Sequence, residues 1–166
     1  MLRRTVTSLG VAVVLLVAAG ITGILPVRIM RVASDSMTPA LSAGDLVVVF
    51  PGEVARRDVV VVPRPGTGEL IVKRAVAVGG DRVAIEDGVL VVDGTAVCEP
   101  AIDPDRIDGV FFAPLTVPDG ELFLLGDDRR DAVDSRDFGT VRIADVTGLV
   151  RGRFWPSPGG LADEEC

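Results

Sequence analysis

The chain has 166 residues, 48% hydrophobic and 25% charged, with a net charge of -7. That is enough apolar material for one packed domain and too little net positive charge to cover nucleic-acid phosphates. Histidine is absent, which removes Ser-His-Asp and Cys-His catalysis and most catalytic zinc sites.

In chain order, Leu2-Arg3-Arg4 leads into TVTSLGVAVVLLVAAGITGILP, uncharged from Thr5 to Pro26. As a helix at about 1.5 Å per residue this run reaches about 33 Å, the thickness of a bilayer's hydrocarbon core. A cleavable export signal has a shorter apolar stretch and a small-residue cut site, and Ala18-Ala19-Gly20 offers one. The length favours an uncleaved anchor over residues 5–26, with residues 1–4 as a short cytoplasmic end. Arg3 and Arg4 are matched by Arg28 and Arg31 beyond the run, so the flanking charges barely orient it.

From Asp45 onward the pattern is β. LVVVF, VVVV at Val59–Val62, LIVKRAVAV and GVLVV are runs of branched apolar residues punctuated by Gly-, Pro- and Asp-containing turns. Asp87-Gly88 and Asp93-Gly94 bracket one short strand, as in a hairpin meander. Residues 99–119 are Pro- and Asp-rich and read as a connection, with a strand near Val110–Phe112. ELFLLGDD gives another strand, VTGLVRGRFW a last one, and LADEEC a polar tail. The expected fold class is mainly β, an antiparallel barrel-like catalytic domain over residues 27–157 on a single membrane helix. A reduced second lobe is expected around 82–120 and a tail over 158–166. The two cysteines, Cys98 and Cys166, show no C-x-x-C spacing, and two free thiols are favoured over a pair.

Lys73 is the only lysine among 17 basic residues. Strand alternation places it on one face with Ile71 and Ala75, with Arg74 opposite. Burial of that face lowers the amine's pKa by up to about 3–5 units, making a general base, whereas arginine cannot be deprotonated. The alternative is an amine that reaches solvent over an apolar stem. Serines clustered before a strand, as at Ser34, Ser36 and Ser42, are usually turn residues. Serine with a neutral lysine is nevertheless a known substitute for the triad.

Four ordered segments carry a resemblance. Ser34-Asp35-Ser36-Met37-Thr38-Pro39-Ala40-Leu41 resembles the S-x-S-M-x-P-T-L segment of bacterial type I signal peptidases, membrane-bound Ser-Lys proteases of exported proteins. Arg57-Asp58-Val59-Val60 is similar to that family's G-D-[IV]-V, with Arg in place of Gly. Val72 to Asp81 is similar to its lysine segment, with Ala77 and Gly79 where the family has Gly and Pro. Gly126 to Gly139 is similar to G-D-N-R-x-x-S-x-D-S-R-x-[WFY]-G, with Asp128 for Asn and Ala132 for the serine that bonds the lysine amine.

The resemblance implies Ser36 as nucleophile, Lys73 as general base, and an oxyanion hole from the Ser36 backbone N–H and the Ser34 hydroxyl. It implies Asp127, Arg129, Asp134, Ser135 and Arg136 as a charged scaffold, and Met37, Val72 and Val133 as substrate contacts. It implies an endopeptidase cutting after small residues in preproteins, acting on the extracytoplasmic side of the plasma membrane. The expected partners are signal-peptide-bearing preproteins and the lipid bilayer, with no nucleic acid; the expected state is a monomer. No cofactor or metal is expected, since the Asp-rich run lacks calcium-loop spacing. A relative dedicated to one maturation substrate and a non-catalytic membrane-tethered β-domain are the alternatives.

Overall fold

The computed structural model describes residues 27–103, 105, 107, 111–156 and 161. The expected anchor over 5–26 lies outside them, as does most of the tail. Among the described residues no helix is long and apolar enough to cross a membrane.

The β-branched runs form two antiparallel sheets. The larger has seven strands: β1 (Arg28–Arg31), β2 (Leu46–Phe50), β3 (Val59–Pro63), β4 (Leu70–Val78), β9 (Glu121–Leu125), β10 (Val141–Arg142) and β11 (Gly148–Trp155). Their spatial order is β1-β2-β11-β3-β4-β9-β10. The smaller sheet holds β5 (Arg82–Glu86), β6 (Val89–Val92), β7 (Thr95–Ala96) and β8 (Phe112–Thr116) in the order β7-β6-β5-β8. The expected strand near Val110–Phe112 starts at Phe112 and runs on to Thr116. One helical turn, α1 (Ser135–Phe138), follows β9.

β3 shows why a continuous valine run suits a central strand. Val59 and Val61 face a core with Met37, Leu41 and Val47. Val60 and Val62 face another with Leu122, Leu124 and Leu149. A third core joins the sheets, setting Val76, Phe123 and Leu125 against Val83, Ile85, Leu90 and Val92. The Asp-Gly pairs behave as their chemistry demands: Asp87, Gly88, Asp93 and Gly94 all have positive φ, from 50° to 81°, as tight hairpin turns require.

Arg57 stands where the resembled family has glycine, and its φ is +78°. A side chain costs about 1–2 kcal/mol there. Two bonds offset the cost: its N–H donates to the Ala75 carbonyl at 2.7 Å, and its Nη2 donates to the Cys98 carbonyl at 3.2 Å. Cys98 itself is disulfide-bonded, which corrects the expectation of free thiols. The sequence holds one other cysteine, Cys166, outside the described residues. Linear spacing carries no information on whether the fold brings two distant thiols together, so the sequence left a bonded pair as the less favoured alternative.

Phe123 is fully buried where the two sheets meet and stacks at a tilt on Phe112, with ring centroids 5.1 Å apart. Phe123→Ala is expected to cost about 3–5 kcal/mol of stability, read from the denaturation midpoint.

Candidate active site

The segment after β1 folds into a tight turn because both of its ends are tied. Asp35 accepts the Ala43 N–H through Oδ1 at 2.9 Å, and its carbonyl accepts the Thr38 N–H at 2.9 Å. Met37 and Leu41 are fully buried and pin the turn from beneath. Ser34 and Ser36 are left on the outer side, with their hydroxyl oxygens 3.2 Å apart. The Ser36 carbonyl accepts the Asp128 N–H at 3.1 Å, fastening the turn to the loop after β9.

Lys73 lies on β4 opposite Val60 of β3 and is 2% exposed. Its Nζ is 2.6 Å from Ser36 Oγ. Burial lowers the amine's pKa to about 8, against the opposing pull of the Asp134 and Asp127 carboxylates; the Arg136 and Arg64 charges lower it further. Desolvation is the largest of these influences, and each carboxylate also has its own arginine. Arg74 holds Asp127 through two bonds of 2.8 and 2.7 Å, in a pair almost wholly removed from water. Arg136 holds Asp134 through bonds of 2.9 Å from Nε and from Nη2.

The remaining scaffold residues shape the loop between β9 and α1. Asp134 caps α1 in a reciprocal capping box with Asp137, and its Oδ2 accepts the Gly126 N–H at 3.0 Å. Ser135 Oγ accepts the Leu124 N–H at 2.8 Å. Arg129 donates to the Gly126 carbonyl at 2.8 Å and forms an ion pair with Glu99. Arg136 Nη1 donates to the Arg129 carbonyl at 2.8 Å.

Two residues here escaped the sequence reading. Arg74, assigned only to the face opposite Lys73, proves to be the partner of Asp127. Gly126 is needed for closeness: a Cβ on it would lie 2.3 Å from the Ala132 Cβ and 2.6 Å from the Ser36 carbonyl oxygen. The glycine was visible in its motif, but nothing local said what it touched.

The dyad opens into a cleft of about 630 Å³ lined by Ser34, Ser36, Ile71, Lys73 and Val133 together with charged residues. Val133 is 43% exposed and stands on the cleft wall. Met37, expected as a substrate contact, is instead wholly inside the core behind the turn. Val72 is half-buried and packs its side chain against that same core rather than lining the cleft. Its backbone is placed differently. β9 pairs with β4 only from Arg74 to Val78, and β3 covers the other edge of Leu70–Lys73. Antiparallel bonding alternates, and Glu69 and Ala75 both bond toward the β3 side. The N–H and C=O groups of Leu70 and Val72 therefore point to the open edge. Among the described residues no cluster of side chains fits a metal ion.

A hydroxyl and a dry amine in contact beside an open cleft on a β scaffold form an arrangement found in serine hydrolases. Comparison with known proteins gives the family. The family described as "Signal peptidase, peptidase S26" matches residues 2–155. Signal peptidase I of Bacillus caldolyticus is 35% identical over 142 residues, covering 75% of this chain and 78% of that protein. Signal peptidase I of Streptococcus pneumoniae R6 is 30% identical over 166 residues, covering 76% and 81%. Among solved structures, a signal peptidase I from Enterococcus faecalis V583 superposes with a TM-score of 0.53 at 29% identity, covering 60% of this chain and 97% of that one. The chain belongs to the signal peptidase family.

A base must be neutral to accept a proton. With a pKa of about 8 only about a tenth of Lys73 is neutral at pH 7, so kcat/KM should rise with pH and level off above about 8. A pH–rate profile flat from pH 6 to about 9 would contradict the assignment. Gly126→Ala is expected to displace the Ser36 turn and cut kcat by about 10²-fold, the effect of a misplacement near 1 Å. Steady-state kinetics on the folded variant checks this.

Proposed function

We propose that this signal peptidase family member is a membrane-anchored endopeptidase that removes signal peptides from exported preproteins, with Ser36 and Lys73 as its catalytic pair. The observation that carries this reading is the 2.6 Å contact between a buried amine and a hydroxyl at the floor of an open cleft.

Neutral Lys73 takes the Ser36 proton as Oγ attacks the carbonyl carbon of the scissile bond. The Ser36 backbone N–H and the Ser34 hydroxyl stabilise the oxyanion, a contribution worth about 3–4 kcal/mol per donor. The Lys73 ammonium then gives its proton to the departing amine, leaving an ester on Ser36. Water, deprotonated by Lys73, attacks that ester and frees the enzyme. Asp127, Arg129, Asp134, Ser135 and Arg136 hold the loop that keeps the pair in place. An extended substrate adds as a strand along the open edge at Leu70 and Val72. Val133 and Ile71 offer shallow apolar walls suited to small side chains.

The apolar run from Thr5 to Pro26 supplies the anchor, over a length that fits a bilayer. Holding enzyme and substrate in one membrane raises their effective concentration. The Cys98 disulfide supports a catalytic domain on the oxidising, extracytoplasmic side.

Ser36→Ala and Lys73→Ala are each expected to abolish cleavage of a preprotein by the full chain in detergent. Ser34→Ala should retain binding and lower kcat by about 10²–10³-fold. Unimpaired turnover in either of the first two variants would remove the dyad. An unchanged rate in the third would remove Ser34 from the oxyanion hole.

A further inference from the structure

Two observations away from the dyad lead back to it. β11 ends at Trp155, and six residues on Leu161 is half-buried against the core that contains Met37 and Leu41. Those two side chains pin the nucleophile turn from beneath. Cys166 follows Leu161 by five residues, a reach of at most about 18 Å for extended chain.

The second observation is the disulfide at Cys98, in a sequence that holds one other cysteine, Cys166. Cys98 is exposed on the connection between β7 and β8. The next residue, Glu99, is the ion-pair partner of the buried Arg129. Arg129 Nε donates to the Gly126 carbonyl at 2.8 Å, and the Gly126 Cα lies against the Ser36 carbonyl oxygen. Direct contacts therefore lead from the disulfide to the nucleophile turn, through a Glu99 that sits on a loop rather than in a strand. The Leu161 end reaches the same turn from the core side.

We propose that Cys98 and Cys166 are joined to each other, and that the bond makes residues 157–166 a strap that keeps Glu99 on Arg129 and so sets the turnover at Ser36. Glu99 is then a positioning residue, acting on the nucleophile through Arg129 and Gly126. The bond forms by thiol–disulfide exchange with a disulfide oxidant outside the cytoplasm. The two thiols give up two electrons and two protons, one S–S bond forms, and the oxidant's disulfide is reduced to two thiols. Because cytosolic thiols stay reduced, the chain leaves the cytoplasm slack and tightens into its faster form outside. The inference rests on the peptidase reading for its kinetic test and on the extracytoplasmic side for its oxidant.

Mass-spectrometric peptide mapping of the non-reduced, full-length protein is expected to give one linked pair, Cys98 with Cys166. Two free thiols, or a link between two copies, would overturn the proposal. With a preprotein in detergent, dithiothreitol is expected to lower kcat about tenfold at unchanged KM, the effect of a shift smaller than the 1 Å that costs about 10²-fold. Cys166→Ser should match the reduced protein and no longer respond to dithiothreitol. Glu99→Gln should lower kcat to the same extent with the disulfide intact, and Glu99→Asp should recover part of the loss. Glu99→Gln combined with Cys166→Ser should lose no more than either alone, since both act through one contact. A fall confined to Tm, or losses that multiply in the double variant, would make the bond a matter of stability alone and sink the idea. If the oxidised protein cleaves nothing, the peptidase reading fails by itself. Amide hydrogen exchange across residues 126–129 then decides the strap: faster exchange on reduction supports it, and unchanged exchange overturns it.

Discussion

An ammonium is among the costliest groups to take out of water, and a protein that buries one without a full counter-charge pushes it toward the neutral amine. Lys73 is held in that condition 2.6 Å from the Ser36 hydroxyl. Two carboxylates stand close enough to oppose the effect, and either alone would favour the charged lysine. Each is also bound by an arginine, and desolvation is the largest influence on the amine, outweighing their pull. The charged scaffold thus has two consequences at once. It fixes the loop geometry, and it pairs with arginine the two acids that would otherwise hold the lysine proton more tightly.

Ala132 fits this arrangement. The resembled family has there a serine that bonds the lysine amine; here a buried methyl packs against Gly126. A methyl offers no acceptor, and burial is the largest cause of this lysine's lowered pKa. The contact in turn depends on Gly126, whose missing side chain lets the β9 loop lie against the nucleophile turn. Asp128 completes the fastening through its backbone N–H to the Ser36 carbonyl.

The larger sheet makes this possible because β3 and β4 sit inside it, with apolar residues on both faces. The strand carrying Lys73 is therefore paired and packed on both sides at Arg74, yet β9 ends early enough to leave an edge open immediately before it. The smaller sheet takes no direct part in the dyad. It packs against the sheet through Phe123 and Leu125, and the loop after β7 reaches the scaffold at two points, Cys98 to Arg57 and Glu99 to Arg129.

Much of this was written in the chain's local chemistry. Branched apolar runs broken by Asp-Gly and Pro-Gly pairs determined an antiparallel β protein, since alternation and positive-φ turns are properties of neighbouring residues. The lone lysine on an apolar strand face and the Ser-x-Ser turn, with no histidine anywhere, excluded a histidine-based triad and singled out the residues of the proposed chemistry. The tertiary structure alone decided that Lys73 and Ser36 touch, that Arg74 neutralises Asp127, and that Gly126 must lack a side chain. It likewise decided that Met37 is core, that Val72 offers its backbone rather than its side chain, and that Cys98 is bonded. Each of these is a contact between residues distant in sequence, and such contacts depend on how strands pair and pack, which no local pattern records.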